Sequence, residues 1–185
     1  PLATDMSGIQ FRTLNTRKGP AVRALRAQCD REVYKTSIQK ILKQTSIEIL
    51  EGEVIDLMVE KGAVIGVEVE NVGTVHAEKT ILTTGTFLNG IMYSGKTKKH
   101  GGRLGENPSI PLSERMYGMG LMMGRLKTGT PPRIKMSSLN LNVMDEQPGD
   151  LPTPFMSSLQ KQHPHPKQLS CFITRTTQKL SLIHI

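Results

Sequence analysis

Tryptophan is absent from this 185-residue chain, and its four phenylalanines and three tyrosines make up only 4% of it. Binders of single-stranded nucleic acid that work by stacking need aromatic platforms, so the scarcity argues against a design built on stacking. Only two cysteines occur, Cys29 and Cys171. That is too few for a disulfide framework or a cysteine-rich zinc site, and a reducing, cytoplasmic setting is the expectation. No apolar run approaches the roughly 18 residues of a membrane span, and no basic-then-apolar leader opens the chain. A Gly-x-Gly-x-x-Gly pyrophosphate loop is missing from these residues. Either the chain binds no dinucleotide, or that loop precedes Pro1.

What is present is ordinary for a globular protein: 37% hydrophobic and 22% charged residues, enough for a core in one domain or one and a half. The net charge of +8 is unevenly distributed. Residues 1–44 carry +6, residues 45–80 carry −6, residues 81–135 carry +7 and the remainder +1. Such alternation suits elements whose basic faces converge on a polyanion, and equally suits solvated faces. The chain starts on Pro1, and its last six residues, 180–185, break from the polar run before them. Those six match the translation of a sequencing adapter, so the expectation is an internal gene fragment with an adapter-derived tail.

Pro1–Lys18 reads as irregular. Gly19-Pro20 then opens a helix running to Gln44, with Leu25, Cys29, Val33, Ile38, Ile41 and Leu42 on its apolar stripe. On that stripe Cys29 is a small buried hydrophobe. Short strands follow at Ile47–Glu51, Val54–Val59 and Val64–Val69, with turns at Lys61-Gly62 and Gly73, giving an antiparallel meander. Lys79–Thr86 reads as a buried strand ending in a glycine turn, and Ser109–Tyr117 as a short helix capped by Ser109 or Ser113. Residues 136–168 hold five of the eleven prolines and little periodicity.

Four segments carry candidate chemistry. At Thr84-Gly85-Thr86 a strand ends in glycine, which lets backbone approach a cofactor closely. Between Ser94 and Arg103, Lys96, Lys98, Lys99, His100 and Arg103 sit among glycines, a composition suited to phosphate contacts. The string Gly90-x-x-x-x-Gly95-Lys96-Thr97 formally matches a Walker loop, but no helix follows to receive a phosphate. Gly124–Arg133 adds Arg125 and Lys127 in a dense loop. Cys171 lacks a His/Asp partner arrangement and reads as structural, and His163-Pro-His165 lacks a third ligand for a metal.

Six ordered blocks identify a resemblance: Ser7-Gly-Ile-Gln-Phe-Arg12, Lys18-Gly-Pro-Ala-Val-Arg23, Thr84-Gly-Thr-Phe-Leu88, Gly101-Gly-Arg103, Pro108-Ser-Ile-Pro-Leu112 and Gly124 through Ile134. Across residues 7–179 the chain resembles the MnmG/GidA family, the flavin subunit that modifies the tRNA wobble uridine. The resemblance implies an α/β fold: part of a FAD-binding, two-dinucleotide-type (glutathione-reductase-like) domain with a small antiparallel meander and an inserted, loop-rich α+β segment. It places residues 1–90 in the FAD-binding part and 91–179 in the continuation. It implies FAD and NADH as cofactors, a folate carbon donor, and addition of an aminomethyl-type group at uridine C5. The implied partners are tRNA, an MnmE-type GTPase and a second copy in a homodimer, without a membrane. By position Val54 and Ser109 match flavin contacts, and Gly85 and Thr86 lie on the turn that approaches FAD. Lys96, Lys98, Lys99, Arg103, Arg125 and Lys127 are the candidate tRNA contacts. No catalytic residue and no metal ligand is assigned, and this chain alone is expected to be inactive. The alternative is a cofactor-free basic nucleic-acid-binding module.

Overall fold

The computed structural model describes residues 1–129, 131–159 and 164–178; residues 180–185, expected above to be adapter-derived, and His163 lie outside them. The chain is an α/β protein of small antiparallel sheets and, among the described residues, three short α-helices, divided into two compact units. The first comprises residues 1–48 and 131–185, the second residues 49–130.

In the first unit, helix α1 (Leu2–Ser7) leads directly into strand β1 (Gly8–Leu14), where the sequence suggested irregular chain. The long helix expected from Gly19 to Gln44 is replaced by three elements. Pro20–Val22 makes a 3-10 turn, Ala24–Cys29 forms strand β2, and only Arg31–Leu42 is helical, as α2. The reason is tertiary. β2 pairs antiparallel with β1, Phe11 opposite Ala27 and Thr13 opposite Leu25, and strand pairing outweighs the helix preference of Ala, Leu and Arg. Asp30 then starts the helix, its carboxylate accepting from the backbone N–H groups of Glu32 and Val33, both at 3.0 Å. Cys29 therefore ends a strand, half-buried, rather than lying on a helical stripe.

The core of this unit holds Ala3 and Phe11 beside buried polar side chains. Buried Asp5 accepts from the backbone N–H groups of Met156 and Ser157 at 2.7 and 2.9 Å, which offsets its desolvation and anchors the proline-rich segment. Asp150 accepts from the Thr13 backbone N–H at 2.6 Å, while its own N–H donates to the Phe11 carbonyl at 2.8 Å. The Thr13 hydroxyl and backbone N–H, assisted by Arg12, hold the Asp150 carboxyl below its ordinary value of 3.8 against a smaller opposing effect of burial. Strands β8 (Asp145–Gln147) and β9 (Cys171–Ile173), numbered after the strands of the second unit, pair antiparallel.

The second unit contains the expected meander: β3 (Val54–Glu60), β4 (Ala63–Val69) and β5 (Gly73–His76), in that spatial order. Lys61 and Gly62 have positive φ at the first turn, and Asn71 and Gly73 at the second, as tight reversals require. A hairpin of β6 (Ile91–Ser94) and β7 (Thr97–His100) follows, then helix α3 (Pro111–Gly118). Gly95 and Lys96 turn that hairpin, so the Walker-like string is two strands and not a phosphate-binding loop. α3 packs on β3, and Leu57, Val69 and Leu112 are the buried apolar residues of this unit. Arg115 fixes the packing: its Nη2 donates to the Leu57 carbonyl at 3.2 Å and its Nε forms an ion pair with Asp56 at 2.6 Å. Ser109 and Ser113 do not cap α3; Ile110 occupies the cap position and Pro111 opens the first turn.

Two expected strands do not form. Ile47–Glu51 and Lys79–Thr84 are irregular, without ladder partners among the described residues, and Ile49 and Ile81 are 63% and 85% exposed. Apolar, β-branched sequence is not enough, since a strand exists only when a neighbour accepts and donates its ladder bonds.

Candidate functional site

The second unit carries an open cleft of about 410 Å³. It is built from segments far apart in sequence. Glu53 and Val54 enter it from the start of β3, Thr83 and Thr84 from the irregular chain before the glycine turn, and Phe87 from just after that turn. Residues 106–109 and Leu112 of α3 close the other side. Its size lies within the range of small-ligand sites.

Backbone hydrogen bonds fix this geometry. The Glu70 N–H donates to the Glu53 carbonyl at 2.8 Å, seating the chain just before Val54. The Asn89 N–H donates to the Ser109 carbonyl and the Ser109 N–H to the Phe87 carbonyl, both at 2.9 Å. These two bonds accompany a parallel bridge between Leu88 and Ser109. Thr86 Oγ1 donates to the Gly102 carbonyl at 2.7 Å, and the Gly101 N–H donates to the Gly90 carbonyl at 2.9 Å. The turn is thus laced to the 106–109 segment on one flank and to the base of the hairpin on the other.

Gly85 has φ +57, and a Cβ there would meet nothing closer than the Phe87 ring at 4.0 Å. Glycine serves backbone conformation at this position rather than tight packing. The structure brings Val54, Ser109 and Thr84 into one cleft; Gly85 and Thr86 lie immediately beyond it and do not line it.

The lining is mostly apolar, with a few polar groups and no cation. Thr83, Thr84, Asn107 and Ser109 can donate and accept, Glu53 and Glu106 can accept, and no lysine or arginine contributes. Arg103 is turned to Glu106 at 3.1 Å. Such a lining suits hydroxyls and exocyclic amines better than phosphate, which calls for backbone N–H cradles or cations.

The six candidate tRNA-contacting cations divide by environment. Lys96, Lys98 and Lys99 are exposed on the β6–β7 hairpin, with Lys98 Nζ 5.5 Å from the centre of the Tyr93 ring. Lys127 is exposed in irregular chain. Arg103 has its carboxylate partner, and both Nη atoms of Arg125 donate to the Asn89 carbonyl at 3.3 Å, clasping the turn.

Sequence reasoning missed a polar cluster in the first unit. The Cys171 thiol donates to Gln10 Oε1 at 3.1 Å, and Gln28 Nε2 donates to both Gln10 Oε1 and Cys171 Sγ, at 3.0 and 3.1 Å. Gln10 Nε2 continues to the Gln147 carbonyl at 2.9 Å. This ties the Cys171 thiol of β9 to side chains of β1 and β2, and nothing in sequence spacing signals it. His165 sits against Phe11 and Phe155, with ring centres 4.7 and 4.3 Å away, and its Nδ1 donates to the Asp5 carbonyl at 3.2 Å. Among the described residues no group of histidine, cysteine and carboxylates could hold a metal ion, and no helix is long and apolar enough to cross a membrane.

Comparison with known proteins gives concordant matches. Residues 2–184 match the family described as glucose inhibited division protein A. Crystal structures of Aquifex aeolicus GidA superpose closely. In crystal form I the identity is 36%, with a TM-score of 0.83 over 92% of this chain and 30% of that one. In form II the identity is 33%, with a TM-score of 0.83 over 96% and 33%. The chain therefore spans about a third of the length of those solved relatives.

Proposed function

Because the chain belongs to the glucose-inhibited division protein A family, we propose that it is part of a flavin-dependent enzyme that modifies C5 of the tRNA wobble uridine. The whole protein, on this reading, adds an aminomethyl-type group using FAD, NADH and a folate carbon, as a homodimer acting with an MnmE-type GTPase. Residues 1–90 belong to its FAD-binding part, of two-dinucleotide type, and 91–179 to the continuation of the chain. The observation that carries the proposal is the cleft itself: Val54 and Ser109, the two positions that match flavin contacts, converge there with Thr84.

The residues present fit one end of a dinucleotide. Glu53, Thr83, Thr84 and Asn107 offer the acceptors and donors that a nucleoside's hydroxyls and amine require, and the apolar Val54, Phe87 and Leu112 offer a surface for its ring. The cleft offers a pyrophosphate no lysine or arginine. Bound flavin would supply the electron transfer; these residues would orient its nucleoside end. The tRNA is met by the exposed cations, Lys96, Lys98, Lys99 and Lys127 above all, with Arg103 and Arg125 holding the loops that present them.

The test is flavin content in the full-length protein. Ser109→Leu places a branched apolar side chain in the cleft and should reduce bound flavin by at least ten-fold, as read by absorbance, while secondary structure persists. Full flavin content in this variant would refute the site. A full-length protein that never binds flavin and leaves the wobble uridine unmodified would refute the function, and would favour the cofactor-free nucleic-acid module.

A further inference from the structure

The β6–β7 hairpin carries most of its side chains exposed. Its register pairs Ile91 with His100, Met92 with Lys99, Tyr93 with Lys98 and Ser94 with Thr97. Alternation along each strand puts Ile91, Tyr93, Lys98 and His100 on one face, and Met92 and Lys99 on the other. All four residues of β7 are exposed, and Tyr93 retains 66% of its surface. The base of the ribbon is anchored through the Gly101-to-Gly90 hydrogen bond, and its tip is the Gly95-Lys96 turn. Tyr93 is thus an exposed aromatic ring on an anchored ribbon, flanked by cations.

We propose that the Tyr93, Lys98 and His100 face of this ribbon binds unpaired RNA, Tyr93 stacking on a base while Lys96 and Lys98 hold the neighbouring phosphates. The proposal rests on the reading of the protein as a modifier of an unpaired tRNA uridine, and names the surface that receives the strand. In the free protein Lys98 lies near the Tyr93 ring, with Nζ 5.5 Å from its centre. A cation over an exposed tyrosine is worth about a two- to five-fold factor. A stacked base is worth about five-fold to beyond a hundred-fold. A phosphate that draws Lys98 off the ring therefore frees the platform for a base at net gain. Duplex RNA keeps its bases stacked and leaves the tyrosine without a partner. An acidic peptide would use the lysines and leave the ring idle.

The experiment uses the full-length protein with three probes: a labelled 12-nucleotide oligouridylate, a 12-base-pair RNA duplex and polyglutamate. Tyr93→Ala should weaken oligouridylate binding at least five-fold and change duplex binding by less than two-fold, whereas Tyr93→Phe should keep near-native affinity. Lys98→Ala should weaken both RNAs and lower the slope of log affinity against log salt by roughly 0.7 on the single strand. Polyglutamate should bind far more weakly and be indifferent to Tyr93. Equal loss on both RNAs, no loss on either, or polyglutamate binding as tight as oligouridylate overturns the proposal. Flavin content and wobble-uridine modification are measured in parallel. If both are native while Tyr93→Ala leaves oligouridylate binding unchanged, this inference fails alone. If both are missing while the Tyr93 effect stands, the proposed function fails and the binding face survives.

Discussion

Gly102 is where the glycine turn of the candidate site is pressed against the hairpin, and substituting it tests whether the cleft depends on that contact. A Cβ on Gly102 would collide with the Phe87 ring and lie 2.8 Å from the Phe87 Cα. Carbon atoms need about 3.5–4.0 Å, so the two backbones must separate by close to 1 Å. Phe87 cannot swing away freely. Its N–H donates to the Thr84 carbonyl at 3.1 Å and its carbonyl accepts from the Ser109 N–H at 2.9 Å. Overpacking of this kind costs about 1–3 kcal/mol. Losing the bond from Thr86 Oγ1 to the Gly102 carbonyl would remove up to about 1 kcal/mol more. With roughly 2 kcal/mol lost and a urea dependence of about 2 kcal/mol per molar, the midpoint of Gly102→Ala should fall by roughly 1 M. Phe87 lines the cleft, so flavin retention in the full-length protein should fall with it. Gly118→Ala is the control. Its Cβ meets nothing within 4 Å at the end of α3, and alanine suits a helix better, so stability should be unchanged or slightly higher. Equal urea midpoints for Gly102→Ala and Gly118→Ala would refute the argument.

At Gly85, with φ +57 and open space around the absent Cβ, backbone strain decides tolerance. Asn should be accepted and Val should cost at least about 1–2 kcal/mol with loss of flavin, and equal flavin content in both variants would show that the conformation does not matter. Phe11 is fully buried in the first unit, and Phe11→Ala should cost about 3–5 kcal/mol in thermal or urea unfolding; a loss under about 1 kcal/mol would mean the site repacks. Asp150 has a lowered native pKa, so its stabilisation is present above its ordinary value of 3.8 and vanishes as pH falls through the lowered native value. Asp150→Asn should therefore be less stable than the parent near neutrality, by under about 1 kcal/mol given the partial exposure. Below both pKa values the two should converge in pH-dependent unfolding, and a difference constant across pH would contradict the linkage.

Sequence by itself determined the features whose cause is local. The meander was legible because β-branched alternation and the Lys61-Gly62 and Gly73 reversals each act within a few residues; the short helix was placed at Ser109–Tyr117, but Pro111 in its first turn rather than a serine cap opens it. The family was legible because six blocks kept their order. Tertiary structure decided the rest. Ala24–Cys29 carries helix-favouring residues and is a strand because β1 supplies the ladder bonds; Asp30, whose capping chemistry is a local signal, was hidden inside an apparently continuous stripe. Ile81 and Leu82 look like a buried strand, yet no described neighbour pairs with them. Val54, Thr84 and Ser109 share a cleft only because long-range backbone bonds, Glu70 to Glu53 and Asn89 to Ser109, bring distant segments together. Spacing in sequence records contacts a few residues apart. A site assembled across tens of residues is set by which hydrogen-bonding partners the folded chain leaves within reach.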